Sequence, residues 1–136
     1  NFAKLGDLML AKALQGDRVE AVTTPGMTLG DIDYCSPERA LCRPVDGRSD
    51  LFELGATIYA LLTGQPPFRG KTFAERAREL QGATPAAPKK VQLSIPDEFN
   101  AVVMRLLANE PDQRFQTPTE LLRALEEIAR DEKVPA

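Results

Sequence analysis

The apolar pattern is weak at the start of the chain and strong after Ser49. In "SDLFELGATIYALLTG", Leu51, Leu54, Ile58, Leu61 and Leu62 form one stripe, and Phe52, Ala56 and Tyr59 make the other side apolar too. A helix that is apolar nearly all round is a buried one. Ser49 is placed to cap its N-terminus and Gly64 to stop it. The spacing therefore predicts a central helix that other elements must surround.

Beyond the break at "QPPF", Thr72-Phe73-Ala74-Glu75 reads as a capping box that opens a short amphipathic helix to about Gln81. "GATPAAPKK" is a proline-rich connection. From about Asp97 to Ala108, Phe99, Val102, Val103, Leu106 and Leu107 recur at helical spacing and predict a third helix. "NEPDQRFQ" is a polar turn. Thr117-Pro118-Thr119-Glu120 joins a capping box to a proline in the first helical position. The helix it opens runs to about Arg130, with Leu121, Leu122, Leu125 and Ile128 inward. The tail "DEKVPA" should fray.

The N-terminal third lacks this order. Phe2–Leu5 reads as a short strand leading into Gly6-Asp7. The stretch from Ala13 to Asp33 carries Gly, Thr, Asp and Pro without helical spacing and reads as a long loop, with a hairpin at Gly16-Asp17. Structureless segments of that length inside compact domains are usually functional. No internal repeat is present. Pattern alone predicts a mainly α fold: one buried central helix, three or more packed helices and a loop-rich N-terminal third.

Composition narrows the chemistry. With 136 residues one domain is expected, and 43% apolar against 27% charged residues is ordinary for a globular chain. The net charge of −3 gives no basic surface for nucleic acid or a membrane, and neither contact is expected from this segment. Histidine is absent, which excludes a histidine base, a histidine-containing triad and histidine metal ligands. Cys35 and Cys42 fit no zinc pattern and are expected as free, partly buried thiols in a reducing compartment rather than as a disulfide. The longest apolar run, near Leu51–Leu62, falls well short of the ~20 residues that span a bilayer. Asn1 begins mid-pattern without an initiating Met and no signal peptide opens the chain. A fragment of a longer, cytoplasmic protein is expected, with a distant membrane anchor in the parent left open.

These stretches then carry a resemblance: "LGDLMLAKAL", "GDIDYCSPE", "SDLFELGATIYALLTGQPPF" and "EPDQRF", in this order. Together they resemble the second half of a eukaryotic-type Ser/Thr protein kinase. That family has Asp-Phe-Gly, then Gly-Thr-x-x-Tyr-x-Ala-Pro-Glu, then Asp-x-x-x-x-Gly on a central helix, then an Arg before the last helix. The resemblance covers Phe2 to about Arg130. It implies a kinase-like C-lobe fragment, with a short strand and the activation segment in residues 1–45, the helical lobe in 46–130 and a frayed tail in 131–136.

The roles it implies fall on particular residues. "SPE" is similar to the Ala-Pro-Glu that closes the activation segment, so Glu38 should pair with Arg114; taken alone, both read as surface charges. Asp7 matches the metal-binding Asp, where an oxygen ligand suits Mg²⁺ bridging to ATP phosphates; taken alone, Gly6-Asp7 is a turn. "DLM" departs from Asp-Phe-Gly, since Met9 removes a permissive glycine. Gly30, Asp31 and Tyr34 fall in the substrate-docking loop, with turn polarity and a packing aromatic as the plainer reading. Asp31 replaces a Thr and would repel a catalytic Asp or pair with a Lys. Thr23, Thr24 and Thr28 are candidate phosphorylation sites or plain loop hydroxyls. Asp50 matches the residue that holds the catalytic-loop backbone, or is a first-turn acid favoured by the helix dipole. Gly55 would let another backbone approach the central helix closely.

A Gly-rich loop, a β3 Lys and His-Arg-Asp are not in the chain. The fragment is therefore expected to hold no catalytic residue and no bound ATP or Mg²⁺ by itself. In the parent, the resemblance implies transfer of the ATP γ-phosphoryl group to protein Ser or Thr. A pseudokinase-derived binding or scaffolding module is the alternative, and an unrelated helical interaction domain a third reading. Loss of the missing half should expose an apolar face at Phe52, Ala56 and Tyr59, and so favour a homodimer.

Overall fold

The computed structural model describes residues 32–131. The expected strand at Phe2–Leu5, the hairpin at Gly16-Asp17, nearly all of the long loop and the tail lie outside the described residues. Within them the order is α1 (Pro37–Ala40), α2 (Gly47–Thr63), α3 (Phe73–Gly82), α4 (Pro88–Val91), α5 (Asp97–Leu106), a 3₁₀ turn (Pro111–Gln113) and α6 (Pro118–Asp131). No strand occurs among the described residues. The protein is mainly helical, with helices packed about a central one.

That central helix is α2. It starts three residues before the position expected from a cap at Ser49. Asp46 is its N-cap, accepting from the Arg48 amide at 2.8 Å. Ser49 is instead buried, and its hydroxyl donates to Glu38. Gly64 ends the helix in the left-handed region at φ 75°, where an L side chain is disfavoured.

The faces of α2 are reassigned by packing. Phe52, Ala56 and Tyr59, expected to be uncovered, are among the most buried residues, at 0%, 1% and 1% exposure. Ile32, Cys35, Phe68, Leu80, Val103 and Leu107 close over them. The expectation of a dimer through that face loses its basis. Leu54 and Leu61, expected inside, are exposed. Nearly continuous apolar sequence does not say which side meets neighbours, and here the segment before α1 and helices α3 and α5 claim the Phe52 side.

α5 crosses α2 at Gly55. A Cβ there would come within 2.6 Å of Leu106 Cβ, so the approach requires glycine. On the other side of α2, Leu51, Val102, Leu106, Phe115 and Leu121 form a second cluster. α6 covers it through Leu121, Ala124, Leu125 and Ile128. Leu122, expected inward, is 54% exposed because α6 offers a narrower stripe than its leucines suggest. α3 has both halves of the capping box between Thr72 and Glu75. The proline-rich connection contains the unexpected α4, started by Pro88, a residue pre-shaped for a first helical turn.

Candidate functional site

The stretch Ile32–Leu41 is anchored by polar contacts to several elements. It begins with a turn closed by the Cys35 amide on the Ile32 carbonyl. Ile32 and Cys35 face the core, while of the two residues between them Asp33 is half-buried and Tyr34 exposed. Ser36 then caps α1, with Pro37 in the first turn.

The deepest anchor is Glu38 with Arg114. The guanidinium reaches the two carboxylate oxygens at 2.5 and 3.1 Å. Arg114 is fully buried and Glu38 nearly so. A guanidinium has five N–H donors, and each is used: the other three go to the carbonyls of Ala108, Arg48 and Asn109. The Phe52 ring lies 4.8 Å beneath Arg114 Cζ. A buried charge without such partners would be prohibitive; with them, one residue ties the end of α1, the start of α2 and the turn before α6 together.

A second anchor runs to α2. Glu53 Oε1 accepts from Arg39 Nε at 2.7 Å and from the Ser36 amide at 3.1 Å. Arg39 also reaches Asp50, more loosely, at 3.5 Å. Burial works against the Arg39 charge, but the Glu53 hydrogen bond and charge outweigh it and raise its pKa. A third anchor runs to α3, where the nearly buried Arg76 pairs with Asp33. Between these pairs, burial pushes the Cys35 thiol up to about 12, with the Glu53 carboxylate adding to it. It is a protonated packing group, not a nucleophile.

Tyr34, 42% exposed, stands at the edge of an open groove of about 400 Å³ lined by Ala60, Leu61 and Pro66 among others. Asp50 presents its carboxylate to solvent, 76% exposed. Among the described residues no cluster of acidic or thiol side chains is arranged to hold a metal. Asp7, Gly30, Asp31, Thr23, Thr24 and Thr28 lie outside the described residues. Of the sequence-derived candidates, the structure brings Glu38 and Arg114 together, and it leaves Tyr34 and Asp50 both exposed to solvent.

The pattern that defines the protein kinase domain matches residues 1–125. The chain belongs to that family. It is 37% identical over 121 residues to serine/threonine-protein kinase PknB of Mycolicibacterium smegmatis, covering 89% of this chain and 19% of the relative. It is 36% identical over 132 residues to a probable serine/threonine-protein kinase of Corynebacterium efficiens, covering 94% of this chain and 20% of that one. Among solved structures it is similar to the twitchin kinase region from C. elegans, with a TM-score of 0.61 and 26% identity, over 74% of this chain and 17% of that chain. The chain thus spans about a fifth of the length of these curated relatives.

Within this kinase family member, sequence reasoning missed two of the three anchors. Arg39 and Glu53 lie 14 residues apart and Asp33 and Arg76 lie 43 apart, with no local pattern to link them. A hint existed for the first: Glu53 is a charge inside an otherwise apolar helix, and such a group needs a partner. Among the described residues no helix is long and apolar enough to cross a membrane.

Proposed function

We propose that this chain is the substrate-side part of a Ser/Thr protein kinase whose complete form transfers the γ-phosphoryl group of ATP to protein Ser or Thr. The observation that carries the reading is the buried pair of Glu38 with Arg114, close in sequence to an outward-facing Tyr34. It gives a rigid seat to a loop whose tip faces solvent. In this reading residues 1–45 are strand and activation segment, 46–130 the helical lobe and 131–136 a tail. Gly30, Asp31 and Tyr34 receive the protein substrate, and Thr23, Thr24 and Thr28 accept regulatory phosphate. Asp50, already solvent-facing, holds the backbone of the catalytic loop.

ATP and Mg²⁺ belong to the complete kinase, where the metal ion neutralises charge on the transferring phosphate. The one ligand assigned to this chain is Asp7. What the described residues contribute is position: charged anchors hold the docking segment, and burial keeps Cys35 protonated and unreactive. ATP supply and reduced thiols suit the cytoplasm. For the chain on its own, the exposed Leu54 and Leu61 offer a surface for self-association, which light scattering at high concentration tests.

The functional test uses the polypeptide that joins this chain to an upstream ATP-binding half. Incubated with ATP, Mg²⁺ and a protein substrate, it should yield phosphoserine or phosphothreonine by mass spectrometry, and Asp7→Asn should abolish the product. The 136-residue chain alone should yield none. A complete domain that binds protein but transfers nothing would establish the pseudokinase reading instead.

A further inference from the structure

Three anchors hold the stretch that presents Tyr34, and they are distributed unevenly about it. Two lie on its C-terminal side: Glu53 with the Ser36 amide and Arg39, and Arg114 with Glu38. On its N-terminal side stands the pair of Asp33 with Arg76. Tyr34 is exposed, so packing contributes less to its placement than these neighbours do.

Arg76 is built to hold still. It sits on α3, 8% exposed, and its Nε donates to the Gly70 carbonyl at 2.6 Å. Gly70 also donates its own N–H to Glu79, one turn further along α3, at 3.0 Å. A Cβ at Gly70 would meet the Arg76 amide nitrogen at 2.8 Å, so this close approach requires glycine. The loop before α3 is thus folded back on the helix, and it fixes the guanidinium stem before Asp33 is reached. Nη1 of Arg76 faces the Asp33 carboxylate. Leu80 of α3 lies in the same core cluster as Ile32 and Cys35, so helix and docking segment share both an apolar and an ionic contact.

We infer that Arg76 is a positioning residue: through Asp33 it holds the segment Ile32–Cys35 against α3, and so sets the orientation in which Tyr34 meets the protein substrate. Without it the charged anchors begin only at Ser36, the segment before it keeps the packing of Ile32 and Cys35 alone, and the Ile32–Tyr34 turn opens about Cys35 more readily. The substrate part of this inference rests on the kinase reading above; the clamp itself does not.

Cys35 supplies the probe, because it is buried within the clamped turn. Trypsin cuts after Arg39, so Cys35 and Cys42 fall in separate peptides and their alkylation is read independently. In the 136-residue chain, Arg76→Gln should accelerate iodoacetamide labelling of Cys35 by about tenfold through local opening. Asp33→Asn, which leaves the buried guanidinium in place, should accelerate it several-fold. Leu121→Ala, in the separate cluster under α6, is the control for general destabilisation. Equal acceleration in Leu121→Ala, or none in both clamp variants, overturns the clamp. In the complete kinase, Arg76→Gln should raise KM for the protein substrate about tenfold and leave kcat within about twofold. An active kinase with unchanged KM overturns the positioning role. A wild-type domain without phosphotransfer refutes the kinase reading, and the labelling ratio then decides the clamp alone.

Discussion

Arg114 and Glu38, 76 residues apart in the chain, meet in a bidentate pair with the arginine wholly inside the protein. The guanidinium spends its remaining donors on three carbonyls from two other segments. Such a group cannot be removed without stranding its partners. Arg114→Ala leaves the Glu38 carboxylate buried and unpaired, and should cost on the order of 3–5 kcal/mol. Arg114→Lys should fare little better, because an ammonium cannot make the parallel pair of bonds. Urea unfolding of each variant measures this. A loss below about 1 kcal/mol for both would mean the pair is ornamental.

The crossing of α2 and α5 makes a sharper demand on one residue. Gly55→Ala places a methyl 2.6 Å from Leu106 Cβ, so the helices must separate. Overpacking of this kind costs about 1–3 kcal/mol, against roughly 1 kcal/mol gained from helix propensity. Gly47, at the start of α2, has open space where its Cβ would stand. Gly47→Ala should therefore be neutral or stabilising, and thermal unfolding should rank the two variants in opposite directions.

Leu121 and Leu122 are adjacent and chemically identical, yet only Leu121 is buried. Leu121→Ala should cost about 2–5 kcal/mol as a core deletion. Leu122→Ala should stay within about 0.5 kcal/mol. Equal losses would place both leucines inside and contradict the packing of α6.

Alkaline behaviour follows from Cys35. Its folded pKa is raised from 9.0 to about 12, chiefly by burial. A group raised in the folded state contributes fully below its unfolded pKa and loses that contribution as pH rises toward the folded value. Stability should therefore decline between about pH 9 and 12 in the wild type, and less steeply in Cys35→Ala. Denaturant midpoints across that range test it; identical slopes would remove Cys35 as the cause.

The acid side is governed by depressed carboxylates. The Gln116 amide and then Arg105 lower the pKa of Glu120, and Arg48 lowers that of Asp46. A depressed folded pKa contributes stability above the unfolded value, lost as pH falls through the folded one. Both groups are exposed and the contribution is small and screened by salt. Carboxyl NMR should show each titrating below the ordinary range, with 1 M salt moving both back toward it.

What the sequence determined is what neighbours along the chain can decide. The capping box of Thr72 and Glu75, the stop at Gly64 and the stripe on α5 are satisfied within a few residues, and each was legible. The order of the kinase-like motifs made the family legible as well. The faces of α2 were not, because an all-round apolar helix is compatible with any orientation, and only contact with Ile32, Leu80 and Val103 selects the Phe52 side. Ser49 reads as a cap until Glu38 arrives to take its hydroxyl, and Asp46 caps in its place. The anchors Arg39–Glu53 and Arg76–Asp33 are likewise tertiary: a charge buried by folding must find an opposite one nearby in space, and sequence distance places no bound on where that partner lies.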